Sequence, residues 1–375
     1  MESVRVLMHC VYFPPEVGGL ESHIHFLCRA LVERGHEVDA VTSRSRPELA
    51  RHEVMDGIRV WRTWMPARNT PGWAAHAFVS LPRFRMLAAS ADVLHAQDIA
   101  AVLPCMVAQR VRGAPIVTTY HTSHFLKRAA SPFWRPIFRK FLHAADHNLA
   151  ASREIAEVAE SLAPGVSVEA VTNGVDTTLF KRTEPTLPPA PEGRARLLAP
   201  RRLFEKNGIE YLIRAVPIIL EQADVEVVVI GDGPERARLE RLTHELGVAE
   251  RVDFLGSRLH AAMPGLLSSA DLAVFPSLME ATSVAALESL ACELPVAASR
   301  VGGLPEIVDD EVGGLFEAAS PRALAQTVID LLRGGRLRDM GRLARERVVA
   351  RWSNDRLADR HVDLYEEVVA RRRAA

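Results

Sequence analysis

Leu272-Ala273-Val274-Phe275-Pro276-Ser277-Leu278-Met279-Glu280-Ala281-Thr282-Ser283-Val284-Ala285-Ala286-Leu287-Glu288 reads as a strand, a loop and the opening of a helix. Four apolar residues in succession suit a strand covered on both faces. Thr282 or Ser283 can cap a helix that starts near Val284. Glu280 then lies in the loop, and Glu288 one turn inside the helix. Between the carboxylates lie the amides of Ala281, Thr282, Ser283 and Val284. Helix-opening amides are unpaired and sit at the positive end of the helix dipole, so they attract an anion. Phosphate-binding amides flanked by two acceptors for sugar hydroxyls are what a nucleotide-sugar needs. Taken alone, two glutamates on a solvated helix face would be the plainer reading.

Working outward, apolar runs alternate with helical stretches along the whole chain. Strands are expected at Val4–His9, Val38–Thr42, Ile58–Trp64, Val93–Ala96, Ile116–Tyr120, Asn148–Ala151 and Val168–Thr172. A second series is expected at Ala195–Ala199, Val225–Ile230, Val252–Phe254, Leu272–Phe275, Val296–Ala298 and Gly314–Phe316. Leu20 to Arg34 is an amphipathic helix, with Gly35 as its stop. The pattern predicts an α/β chain of two Rossmann-like, doubly wound domains. Residues 183–193 carry four prolines, which neither a helix nor a strand interior accepts, and mark a linker. The expected domains are 1–182 and 194–352, with a helix at 353–375.

Several strands end in glycine loops that open helices: Gly18-Gly19, Gly231-Asp232-Gly233 and Gly302-Gly303. Glycine lets backbone amides approach a ligand, although a tight turn also uses it for steric reasons alone. Arg201-Arg202-Leu203-Phe204-Glu205-Lys206-Asn207-Gly208 follows the first strand of the second series. Arginine and lysine there match a diphosphate.

Taken in this order, Glu280-x7-Glu288, Ala291-Cys292-Glu293-Leu294-Pro295-Val296 and Gly302-Gly303-Leu304-Pro305-Glu306 resemble glycosyltransferase family 4 over nearly the whole chain. The resemblance implies the GT-B arrangement of two domains facing across a cleft, the first on the acceptor side and the second binding the nucleotide-sugar, with the C-terminal helix crossing back to the first. It implies a metal-independent, retaining transfer of a hexosyl group from a UDP- or GDP-sugar to a glycan, lipid-linked or small-molecule acceptor, as in cell-envelope glycan biosynthesis. Gly18 and Gly19 would meet the donor diphosphate. Glu280 would bind donor sugar hydroxyls and Glu288 the ribose, while His121 in Thr118-Thr119-Tyr120-His121-Thr122 would lie near the reacting carbon. Arg201 and Lys206 have the family's five-residue spacing, whereas aligning on Leu203 and Gly208 makes Arg202 the partner and puts Asn207 at the lysine position; Arg202 and Lys206 are the expected phosphate pair, with Arg201 in reserve. His95 and Asn173-Gly174 mark further strand-end segments. The chain departs from the pattern at Ala281-Thr282-Ser283, where Gly and Phe are usual, and at Glu293, where Gly is usual. The helix before Glu293 must close without glycine.

Composition narrows the classes further. With 46 basic and 47 acidic residues, net −1, nothing indicates a nucleic-acid partner. No apolar run approaches the roughly 20 residues of a membrane span. The four cysteines have no metal-type spacing and suit reduced thiols in the cytoplasm. No Asp-x-Asp or His/Cys cluster predicts a metal or cofactor. Residues 125–143 mix aromatic and basic side chains. They read either as a peripheral contact with the inner face of the membrane or as an amphipathic helix packed on its own domain. Alternatives of other classes are a nucleotide-sugar epimerase, a sugar phosphorylase, a NAD-dependent oxidoreductase and a silent sugar-binding protein.

Overall fold

A computed structural model describes residues 3–16, 19–121 and 123–374. The chain divides into two compact units. The first runs to Gly174 and includes the residues from Asn354 onward; the second is Val175–Ser353.

Strands of the first unit are β1 (Arg5–His9), β2 (Glu37–Arg44), β3 (His52–Met55), β4 (Ile58–Trp64), β5 (Val93–Gln97), β6 (Ile116–Tyr120), β7 (His147–Ala150) and β8 (Val168–Ala170). They form one sheet in the order β3-β4-β2-β1-β5-β6-β7-β8, parallel except for the β3–β4 hairpin. The second unit holds β9 (Ala195–Pro200), β10 (Val225–Ile230), β11 (Val252–Gly256), β12 (Leu272–Phe275), β13 (Val296–Ser299) and β14 (Gly313–Phe316). Its sheet is wholly parallel, in the order β11-β10-β9-β12-β13-β14. Both are doubly wound.

Burial on two faces explains the continuous apolar runs. In β9, Leu197 and Ala199 enter the core beneath one face, and Leu198 enters the other. In β12, Leu272 and Val274 take the first of these faces, and Ala273 and Phe275 the second. Strand order reverses beside β1 and beside β9. Outside the carboxyl ends of the strands at such a switch point, α/β folds hold their ligands.

The boundary differs from the proline-rich linker read at 183–193. Phe180 is fully buried in the core of the second unit, and Val175 bridges to Ser353. Arg345 Nη2 donates to the Thr177 carbonyl at 2.8 Å. The amides of Thr183 and Leu187 donate to Ser268 and Ser269, each at 3.0 Å. Prolines therefore end regular structure here without ending the unit, because the flanking backbone finds partners on it. The terminal helix Asn354–Ala374 packs on the helix Gly19–Glu33, with Leu364, Tyr365 and Val368 in one core with Ile24, Leu27 and Leu31. Arg360 holds Glu169 through two nitrogens, at 2.8 and 2.6 Å.

In 125–143, Phe125, Phe138 and Leu142 are buried and the Phe125 and Phe138 rings stack at 5.0 Å. The apolar face is thus turned onto the first unit, while Arg135, Arg139 and Lys140 stay exposed. All four cysteines are buried free thiols. Among the described residues no helix is long and apolar enough to cross a membrane.

Candidate active site

Three loops meet at the switch point of the second unit. β9 delivers Arg201, β12 delivers Ser277 and Glu280, and β13 leads to Gly302-Gly303. They brace one another through the backbone. The Leu278 amide donates to the Lys206 carbonyl at 2.8 Å, and the Gly303 amide to the Ala281 carbonyl at 3.0 Å. Ser299 Oγ donates to the Ser277 carbonyl at 2.6 Å. Gly302, at φ +54°, lies against the Glu280 peptide so closely that a Cβ would fall 1.7 Å from the Glu280 carbonyl oxygen. Glycine at 302 is therefore what lets the Glu280 loop settle there.

Arg201 is the centre of this arrangement. Its side chain is only 11% exposed and donates from Nη2 to the Glu280 carboxylate, to Ser277 Oγ at 2.8 Å and to Asn207 Oδ1 at 2.9 Å. Its Nε is buried and has no acceptor. A buried charged donor without a partner is costly, and this one is open to an acceptor brought by a ligand. Arg202 points the other way: it is exposed and stacks on Phe204, 5.5 Å from the ring centre. Lys206 is also exposed, whereas Asn207 is buried and donates to the Arg202 carbonyl at 2.6 Å. Both members of the expected cation pair, Arg202 and Lys206, thus lie exposed on the turn. The reserve residue Arg201 is the one that reaches Glu280, and the lysine position of the motif holds a neutral amide. The tight turn forces this, because only one face of the arginine pair can point toward the β12 loop.

The helix runs from Val284 to Ala291, with Ser283 as N-cap; Ser283 Oγ accepts from the Ala286 amide at 3.3 Å. Its unpaired opening amides lie beside the Arg201 guanidinium, since Arg201 Nη1 reaches Ser283 Oγ at 3.4 Å. Glu288 is buried, and His260 Nε2 meets its Oε1 at 2.7 Å. The carboxylate contact holds the His260 ring above its ordinary value, while burial pushes the Glu288 carboxyl up. His260 packs on Phe180 at 4.8 Å between ring centres. Gly231 and Gly233 pack against the carbonyls of Arg201 and Leu203. The structure therefore gives them a steric task, fixing the Arg201 turn, beside any contact with ligand.

In the first unit, His121 follows β6 and is buried. Its Nε2 pairs with Gln97 Oε1 at 2.6 Å. Since an amide oxygen only accepts, Nε2 carries the proton, and Nδ1 is a buried acceptor with the Asn173 side chain beside it. Burial lowers the ring to about 3, so it is neutral near pH 7. The result is a neutral ring whose tautomer is fixed by Gln97. His23 packs edge-on against it at 4.9 Å. His95 is satisfied at both nitrogens, by Tyr365 Oη at 2.6 Å and Thr119 Oγ1 at 2.7 Å, and is a structural residue. Gly19 opens the first helix, and Gly18 lies outside the described residues. Ser277, Gln97 and His260 were not singled out from sequence, and Asn207 only as the residue at the family's lysine position. Only His260 had a nearby signal, the loop after Gly256. Among the described residues no three His, Cys, Asp or Glu side chains are grouped to hold a metal ion.

Comparisons with known proteins agree with the two-unit fold. The family described as Glycosyltransferase Family 4 matches residues 17–179, and the family described as Glycosyl transferases group 1 matches 181–347. An uncharacterized glycosyltransferase of Methanocaldococcus jannaschii is 29% identical, over 96% of this chain and 98% of its own length. The N-acetyl-α-D-glucosaminyl L-malate synthase of Bacillus anthracis is 26% identical over 95% of each chain. Anabaena HepE, solved in complex with UDP, superposes with a TM-score of 0.76 at 18% identity, covering 98% of this chain and all of that one.

Proposed function

Since this chain belongs to the family 4 type of glycosyltransferase, with the Rossmann-like units of a GT-B fold, we propose that it moves a hexosyl group from a UDP- or GDP-sugar to an acceptor hydroxyl, with retention and without a metal. UDP-N-acetylglucosamine is the first donor to try. The relative from Bacillus anthracis is named for N-acetylglucosaminyl transfer, and the HepE structure holds UDP. The reaction belongs in the cytoplasm, with the acceptor a glycan, a lipid-linked group or a small molecule.

One observation carries the reading: the guanidinium of Arg201 and the carboxylate of Glu280 meet beside a helix start, with Arg201 Nε still lacking an acceptor. Donor phosphate oxygens would take the Arg201 donors and the opening helix amides. Glu280 would accept from sugar hydroxyls, and Glu288 from the ribose. As the bond from C1 to the phosphate oxygen breaks, charge grows on that oxygen, and fixed donors already face it. The acceptor oxygen bonds to C1 on the same face, and its proton passes to the departing phosphate. His121 Nδ1 would accept a hydrogen bond from a substrate hydroxyl and orient it. A screen of UDP- and GDP-sugars with mass detection of released nucleotide tests this. Acceptor-dependent release from one donor, unaffected by EDTA, is expected; dependence on a divalent ion or inversion at C1 in the product overturns those parts of the proposal.

A further inference from the structure

The geometry points to a binding site for an anionic group of the acceptor, a carboxylate or a phosphate, centred on Arg128 in the first unit. This rests on the reading that the first unit serves the acceptor. Five side chains far apart in sequence form a row. Arg68 lies over the Tyr12 ring at 4.7 Å, and Trp73 Nε1 donates to Tyr12 Oη at 2.9 Å. The Arg128 guanidinium lies 5.3 Å from the ring centres of both Trp73 and Trp134.

The row sits beyond the carboxyl ends of the strands. Tyr12 follows β1, Arg68 follows β4, and Arg128 lies on the short helix that follows β6 and His121. This is the edge where doubly wound sheets receive ligands.

Charge singles out Arg128. Arg68 is answered by Glu16 at 2.8 Å, and Glu16 also binds Arg46 at 3.0 Å. Arg62 has Glu53 at 2.5 Å and a backbone carbonyl at 2.6 Å. Arg128 has one hydrogen bond, to the neutral hydroxyl of Thr70 at 2.8 Å, and no carboxylate within 4 Å among the described residues. Of five N–H donors one is used, and the charge is uncompensated. Two indoles meanwhile fix the guanidinium, which removes much of the freedom that an exposed arginine keeps. A guanidinium held between two indoles, with a single neutral hydrogen-bond partner, is preorganised for a carboxylate or phosphate.

The test uses the full chain and its tryptophan fluorescence, since Trp73 and Trp134 line the site. Probes are L-malate and myo-inositol 1-phosphate, their neutral counterparts dimethyl malate and myo-inositol, and vesicles with and without phosphatidylinositol. UDP affinity is measured on every preparation. Wild type is expected to bind an anionic probe saturably and at least tenfold more tightly than its neutral counterpart. Arg128→Met keeps the apolar stem between the indoles and should lose at least tenfold, with UDP affinity unchanged; Arg128→Lys should fall between. Saturation by a soluble probe identifies a free acid, and binding confined to phosphatidylinositol vesicles identifies a lipid-borne anion. No preference for anions in wild type, or equal affinity in Arg128→Met, overturns the inference. Failure to bind any nucleotide strikes instead at the donor site in the second unit.

Discussion

Arg201 and Glu280, 79 residues apart in the chain, hydrogen-bond across the tops of the adjacent strands β9 and β12. The carboxylate neutralises the guanidinium and the guanidinium fixes the carboxylate; in the proposed function a diphosphate would take over the guanidinium and sugar hydroxyls the carboxylate. Glu280→Ala should therefore lower transfer by at least about 100-fold, on the order of 2.7 kcal/mol in the barrier, while UDP affinity stays within about threefold. Initial rates and calorimetry on the same preparation check this. Turnover near wild type would remove Glu280 from the sugar site.

His260 and Glu288 give a second, spectroscopic prediction. The contact holds the His260 ring above its ordinary 6.5. Its contribution is fully present below pH 6.5 and is lost as pH rises through the raised value. NMR of the ring protons should show a midpoint above 6.5 in the wild type, and Glu288→Gln should bring it down. A midpoint indifferent to that substitution would mean that the pair does not exist in solution.

Acid should unfold the first unit early. Burial depresses His9, His23, His76, His95, His121 and His361, with His76 and His361 near 4 and His121 near 3. Because the folded values are lowered, this stability is complete above about pH 6.5, and each ring costs about 1.4 kcal/mol per pH unit below it. Several such rings in one unit weigh heavily against a typical stability of about 5–15 kcal/mol. Loss of near-UV dichroism is expected between about pH 5 and 6. An intact signal at pH 4 would contradict the burial of these rings.

Glu293 closes the Val284–Ala291 helix at φ +60°, a left-handed conformation that costs a side chain about 1 kcal/mol or more. Glu293→Gly should raise the melting temperature by about 2–4 °C and leave turnover unchanged. A fall in melting temperature would show that the glutamate side chain has a stabilising contact of its own.

Much of this was legible in the sequence. Apolar runs marked the strands because both sheet faces are covered, and Ser283 capped the helix where the sequence put it. β3 was missed because His52–Met55 is half exposed and polar; the Asp56-Gly57 turn behind it, both residues at positive φ, was the available signal. The choice between Arg201 and Arg202 depends on which way a turn faces, and adjacent identical residues carry no trace of that. Ser277 was silent for a similar reason: small polar residues in loops gain meaning only when tertiary packing brings them to a charge. The unit boundary at Gly174 was hidden behind a louder proline signal.

The most direct measurement is a UDP titration of wild type, Arg201→Met and Arg202→Met by calorimetry. Arg201→Met should bind at least tenfold more weakly, with Arg202→Met within about twofold of wild type. Undiminished affinity in Arg201→Met, or a loss confined to Arg202→Met, would contradict a diphosphate site built on Arg201.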